Sequence, residues 1–158
     1  MRAFRRPLLG PLMAAVCAAP LAFSMTPAAH AAGGYEIRSV ARPSDAWDQI
    51  GEAGDPVLAE TASGSERQRW NVVPGPEGFS VVVNAASGDC LTGGEAGITA
   101  EPCTRDPHQW WRIRQVEGGV QFELHVTNGC VTHAGSGRPL AWVRCEPERI
   151  DQKWRIVG

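Results

Sequence analysis

Two sets of residues in this 158-residue chain have types and spacings that could do chemistry. One is a set of cysteines: Cys90, Cys103, Cys130 and Cys145, with Cys17 apart from them near the N-terminus. Thiolates can bind zinc or close disulfides. No Cys-x-x-Cys pair is present, which weakens the zinc reading, and no other metal or cofactor motif is found. An even set in an exported chain reads as disulfides, with three pairings open to four cysteines. The other set is a word used three times: Gln68-Arg69-Trp70, Gln109-Trp110-Trp111 and Gln152-Lys153-Trp154. The copies lie about 42 residues apart, which marks an internal repeat. An indole offers a large apolar area and one N–H that needs a partner when buried. A glutamine amide offers both donors and acceptors for nearby backbone. Trp70, Trp111 and Trp154 are therefore read as core residues, and Gln68, Gln109 and Gln152 as satisfying groups around them. The repeat register pairs Cys90 with Cys103 in the second unit and Cys130 with Cys145 in the third.

Catalytic motifs are not found. Gly135-Ser136-Gly137 lacks the Gly-x-Ser-x-Gly pattern of a nucleophile elbow. Gly93-Gly94 is not followed by a helix that could hold a phosphate. No enzyme is expected.

The elements that must position these residues begin after a leader. Arg2, Arg5 and Arg6 precede an apolar stretch over 8–23, and Ala29-His30-Ala31 is a small-residue cleavage signal. Residues 1–31 read as a secretory signal peptide, too short and too broken to span a membrane. The domain expected is 32–158, secreted and extracellular. The whole chain carries a formal charge of −2, and the leader takes three arginines and no acid with it, leaving about −5. With a single lysine, Lys153, and no basic cluster, a nucleic-acid partner is excluded.

Short β-branched stretches alternate with Gly, Pro, Asn and Asp turns throughout. Examples are Tyr35–Val40, Phe79–Val83, Ile98–Glu101 and Val120–Val126. No apolar period of 3.6 residues persists over helical length. The reading is all-β, with about four strands in each of three units spanning roughly 34–74, 78–115 and 119–157, twelve in all. One unit has too little apolar surface to fold alone, so the three must share a core.

Over essentially the whole of 32–158 the chain resembles a ricin B-type lectin domain, on the strength of the three Gln-x-Trp words and the cysteine pairs of units two and three. The resemblance implies a β-trefoil, a structural role for the words, and carbohydrate as partner. It also implies a sugar site built from an Asp two residues after the first cysteine, an aromatic platform two before the second, and an Asn before the motif Gln. In unit one Ala46 and Ala62 hold the cysteine positions, so Asp48, Glu60 and Arg67 hold the site positions. Unit two has Thr92, Glu101 and His108; unit three has Thr132, Val143 and Asp151. No platform is aromatic, and Trp142 falls one place off, on the opposite and core-facing side. His108 and His133 are read as surface residues. The expectation is non-catalytic binding with at most one partly retained sugar site, centred on Asp48. The alternative is an inhibitor-like trefoil that binds a protein.

Overall fold

The computed structural model describes residues 33–158. The leader expected over 1–31 lies outside the described residues. Unit one contributes β1 (Tyr35–Ser39), β2 (Asp45–Asp48), β3 (Leu58–Thr61) and β4 (Arg69–Pro74). Unit two contributes β5 (Ser80–Asn84), β6 (Cys90–Gly94), β7 (Gly97–Glu101) and β8 (Trp111–Val116). Unit three contributes β9 (Gly119–Leu124), β10 (Gly129–Thr132), β11 (Arg138–Pro139), β12 (Ala141–Arg144) and β13 (Trp154–Val157).

Six of these strands close on themselves. β1 pairs with β4, β4 with β5, β5 with β8, β8 with β9, β9 with β13, and β13 returns to β1, all antiparallel. Closure removes the free edges that an open sheet of short strands would expose. The remaining strands form three hairpins, β2–β3, β6–β7 and β10–β12, one per unit. A six-stranded barrel capped by three hairpins is a β-trefoil.

The thirteenth strand, beyond the twelve expected, is β11. It pairs with β3 of unit one, and an isolated bridge, Pro56 with Thr99, does the corresponding job between units one and two. Such strands are legible only from neighbours in space, because Arg138-Pro139 has no strand pattern of its own. These joints bring Val57, Ile98 and Leu140, at matching places in the three units, into the core. The Val57 N–H donates to the Ile98 carbonyl at 3.0 Å, and the Leu140 N–H to the Val57 carbonyl at 2.8 Å.

Below this layer sit Trp70, Trp111 and Trp154, all fully buried. Their indole N–H groups donate to the carbonyls of Trp47, Leu91 and Val131 at 3.1, 2.9 and 3.0 Å. The three acceptors occupy the same place in each unit, so one bond type ties the last barrel strand of each unit to that unit's hairpin. Trp47 takes the central position that Leu91 and Val131 hold elsewhere. Its ring meets Trp154 at 5.1 Å and Phe122 at 4.8 Å between centroids.

The disulfides are Cys90–Cys103 and Cys130–Cys145. In unit one Ala46 is fully buried where a cysteine would sit. There the joint is held without a covalent bond, by the Ala62 N–H donating to the Ser44 carbonyl at 2.7 Å.

Candidate functional site

Each motif glutamine sits at the end of a single 3-10 turn, which aims its side chain inward beneath its own hairpin. The Oε1 atoms of Gln68, Gln109 and Gln152 accept from the N–H groups of Ser63, Thr104 and Glu146 at 2.7, 2.8 and 2.8 Å. Their Nε2 atoms donate to the carbonyls of Thr61, Pro102 and Arg144 at 3.0, 3.1 and 2.8 Å. The second Nε2 donor reaches the residue two after the first cysteine position. That residue is Thr92 in unit two, at 3.0 Å, and Thr132 in unit three, at 3.5 Å. In unit one it is Asp48, whose Oδ2 accepts at 2.9 Å.

This contact separates unit one from the others. Thr92 and Thr132 spend their hydroxyl protons on the carbonyls of Cys90 and Cys130, two residues back. Asp48 has no proton to spend. It is 4% exposed, and its Oδ1 has no hydrogen-bond partner. The Arg67 Nε lies 3.7 Å from that oxygen. That distance compensates charge but is beyond a hydrogen bond. Asp48 is therefore a fixed acceptor with one oxygen that is unpartnered and itself sealed from solvent. Although it closes β2, it is not solvated at the strand end.

Arg67 is held by its backbone. Its carbonyl accepts from the Asn84 Nδ2 at 2.8 Å and from the Gln49 N–H at 3.3 Å. Gln49 is itself clamped onto the turn before Cys90: its Nε2 donates to Asp89 at 2.7 Å, and its Oε1 accepts from Ser87 at 2.8 Å. Two units thus build the floor of one site. Sequence reasoning passed over Gln49 and Asn84, because each works on a residue far away in the chain.

Glu60 lies on β3 opposite Ala46, and Leu58 rather than Glu60 is directly across from Asp48. Directly opposite residues share a face, so Asp48, Leu58 and Glu60 line one side of the hairpin. No aromatic ring covers it. In unit two, Glu101 accepts from the Thr99 hydroxyl at 2.9 Å, and His108 is paired with Asp106 at 2.7 Å. In unit three, Asp151 is bound to Arg149 at 2.6 Å, and that hydrogen bond holds its carboxyl below the usual range. Those partners leave the two pockets without a free buried acceptor.

His133 corrects the surface reading. Its side chain is only 7% exposed and lies 2.9 Å from the Asp45 Oδ2, across the boundary between units three and one. Ser136 donates to the same oxygen and Ser44 to Oδ1. Burial pushes the Asp45 carboxyl up, but the bonds from Ser136, His133 and Ser44 outweigh it and hold it below the usual range. Serine and histidine both bind the carboxylate and neither binds the other, so this is a structural tie rather than a catalytic triad. Trp142 packs against the core as expected, its Nε1–H donating to the Gly94 carbonyl at 2.9 Å. Among the described residues no group of three or more His, Cys, Asp or Glu could hold a metal.

With this geometry in place, the chain can be set beside known proteins. The family described as ricin-type beta-trefoil lectin domain-like matches residues 66–144, half of the chain. The chain belongs to that family, one of carbohydrate-binding modules. A designed 3-fold symmetric protein, ThreeFoil, shares the fold with a TM-score of 0.71 at 19% identity, over 78% of this chain and 97% of that one. The Rhizoctonia solani agglutinin superposes with a TM-score of 0.65 at 16% identity, over 79% and 94%. A probable alpha-galactosidase A from Aspergillus clavatus is 42% identical over 55 residues, 35% of this chain. The chain spans about 10% of the length of that relative.

Proposed function

We propose that this protein is a secreted, non-catalytic carbohydrate-binding domain with one working sugar site, in unit one. The observation that carries the reading is the buried Asp48 carboxylate, oriented by Gln68 and left with a free Oδ1. That oxygen is sealed from solvent with the Arg67 Nε 3.7 Å away; once the half-exposed Arg67 side chain swings aside, it accepts a sugar hydroxyl and the guanidinium donates to a second. Leu58 stands across from Asp48 and the platform position is Glu60 rather than an aromatic ring, so a sugar is held by hydrogen bonds more than by stacking. Glu60 borders the same face. Export is supported by the leader pattern over 1–31 and by two disulfides, which persist in oxidising compartments. Relatives named as an agglutinin and a probable alpha-galactosidase A are in keeping with a glycan ligand.

The test is titration with neutral mono- and oligosaccharides, chosen from a glycan array, against the wild type and Asp48→Asn. Asparagine keeps an oxygen for Gln68 and turns the free acceptor into a donor. The expected result is a loss of binding of at least about tenfold, the scale of one charge-assisted hydrogen bond. Binding that survives Asp48→Asn, or no neutral glycan bound at all, overturns the reading; the second outcome favours a protein ligand.

A further inference from the structure

A groove lies away from the Asp48 site, between barrel strands β8–β9 and the hairpin β10–β12. It is lined by Arg114, Glu123, Thr127, Asn128, Trp142 and Arg144, with the Cys130–Cys145 bridge at its end. On β12, Trp142 and Arg144 alternate with Val143, the place where a sugar platform would stand. The groove is therefore on the other side of that strand from the unit-three sugar position.

Its charge is unlike that of the rest of the molecule. Glu123 is shared by Arg114 at 2.7 Å and Arg112 at 3.5 Å, and its carboxylate is 7% exposed while both guanidinium groups are about half exposed. The negative charge is thus withdrawn and the positive charges face out. Arg144 is exposed and has no carboxylate within 4.0 Å among the described residues. Within the groove two guanidinium groups, Arg114 and Arg144, stand against the one Glu123 carboxylate, on a chain whose formal charge is −2.

The groove also has a fixed aromatic wall. The Trp142 N–H is anchored on Gly94, and the ring lies against Gly129, where a Cβ would come within 2.6 Å of the ring carbon Cε3. Gly129 has no side chain to keep it off. Trp142 remains partly buried, so part of the ring borders the groove. Thr127 and Asn128 add a hydroxyl and an amide to the lining beside Gly129, Asn128 in the left-handed region at a φ of 53°.

Guanidinium groups recognise carboxylates with two parallel hydrogen bonds, and an indole covers the C–H surface of a pyranose ring. We propose that this groove binds a carboxylate-bearing saccharide residue, a uronate. Its carboxylate lies between Arg114 and Arg144, its ring lies on Trp142, and its hydroxyls reach Thr127 and Asn128. That the ligand is a saccharide rests on the carbohydrate-binding reading above; that it is anionic rests on the groove alone.

The experiment titrates the purified exported protein with a short oligogalacturonate and with the neutral galacto-oligosaccharide of equal length, at low and at 0.5 M salt. Arg144→Gln, Arg144→Lys and Asp48→Asn are measured beside the wild type. The acidic ligand is expected to bind more tightly than the neutral one and to weaken with salt. Arg144→Gln is expected to lower its affinity at least about tenfold, with partial recovery in Arg144→Lys and none of this effect in Asp48→Asn. Arg144 makes no ion pair among the described residues, so its variants keep the wild-type melting temperature. Equal binding of the acidic and neutral ligands overturns the proposal, as does indifference to Arg144→Gln. Loss of the acidic ligand in Asp48→Asn would place it in unit one instead. Displacement by inorganic sulfate at the same concentration as by galacturonate would mean that the groove reads charge alone, which also overturns it. Because the two sites respond to different variants, failure of this proposal is distinguishable from failure of the unit-one reading.

Discussion

Replacing Gln68 by alanine should cost more than the same change at Gln109, although the two residues hold matching places. Gln68→Ala removes the bonds to Ser63 N–H, Thr61 carbonyl and Asp48 carboxylate. The two backbone groups are only part-buried, so each costs about 1–1.5 kcal/mol when orphaned, and loss of the buried bond to the Asp48 carboxylate adds about 1–2 kcal/mol. Asp48 would then have neither oxygen hydrogen-bonded, since its Oδ1 already lacks a partner. The total comes to about 3–5 kcal/mol. Gln109→Ala orphans the Thr104 N–H and the Pro102 carbonyl, but Thr92 keeps its bond to the Cys90 carbonyl. That sum is about 2–3 kcal/mol. Both variants stay within the usual stability of about 5–15 kcal/mol, so both should fold and be measurable. Urea unfolding followed by tryptophan fluorescence gives the free energies, and Gln68→Ala should melt about 4–8 °C below Gln109→Ala. Equal costs would show that the Asp48 contact contributes nothing. Costs below about 1 kcal/mol in both would show that the motif glutamines are not the buried links described above.

Other outcomes follow from the same packing. Trp111→Ala should cost about 3–5 kcal/mol in chemical denaturation, because it empties a filled core site and removes the bond to the Leu91 carbonyl. Gly119→Ala should cost about 1–3 kcal/mol, since its Cβ would fall 2.6 Å from the backbone oxygen of Trp154, which cannot swing away. Asp45 carries a pH dependence. Its folded pKa is depressed, so its contribution is present above the unfolded value and lost as pH falls from about 4 downward. Asp45→Asn should flatten the acid limb of a stability–pH curve. Reduction of the two disulfides should lower stability by up to about 3 kcal/mol for each loop, read from denaturant midpoints with and without reductant.

The barrel was legible in the sequence because its physics is local and repeated. A Trp that must bury its ring and bond its N–H, preceded by a Gln that must do the same with an amide, leaves a word that can be counted. The pairing of the cysteines followed from the same register. What could not be read was environment. Asp48 is an ordinary acid in the sequence; only the fold shows one oxygen bonded to a glutamine 20 positions on and the other left free. His133 looks like a loop residue until Asp45, 88 positions away, is seen across the unit boundary. The cationic groove draws Arg114 and Glu123 from two barrel strands and Arg144 from a hairpin, so no stretch of sequence contains it. β11 was missed because Arg138-Pro139 becomes a strand only by virtue of its partner.

The seam between β1 and β13 has a topological consequence. Around the barrel, three antiparallel pairs join one unit to the next: β4–β5, β8–β9 and β13–β1. The first two are hairpins with a tight turn. The third has the same pairing with no turn, and Gly158 lies against the Tyr35 ring, within 3.4 Å of a Cβ placed on that glycine. The three seams are therefore interchangeable cut points. A chain rejoined across Tyr35 and Gly158 and opened instead at the turn over 76–78 would rebuild every strand pair in a new order. Each unit's hairpin, and the Asp48 pocket with it, would be carried along unchanged.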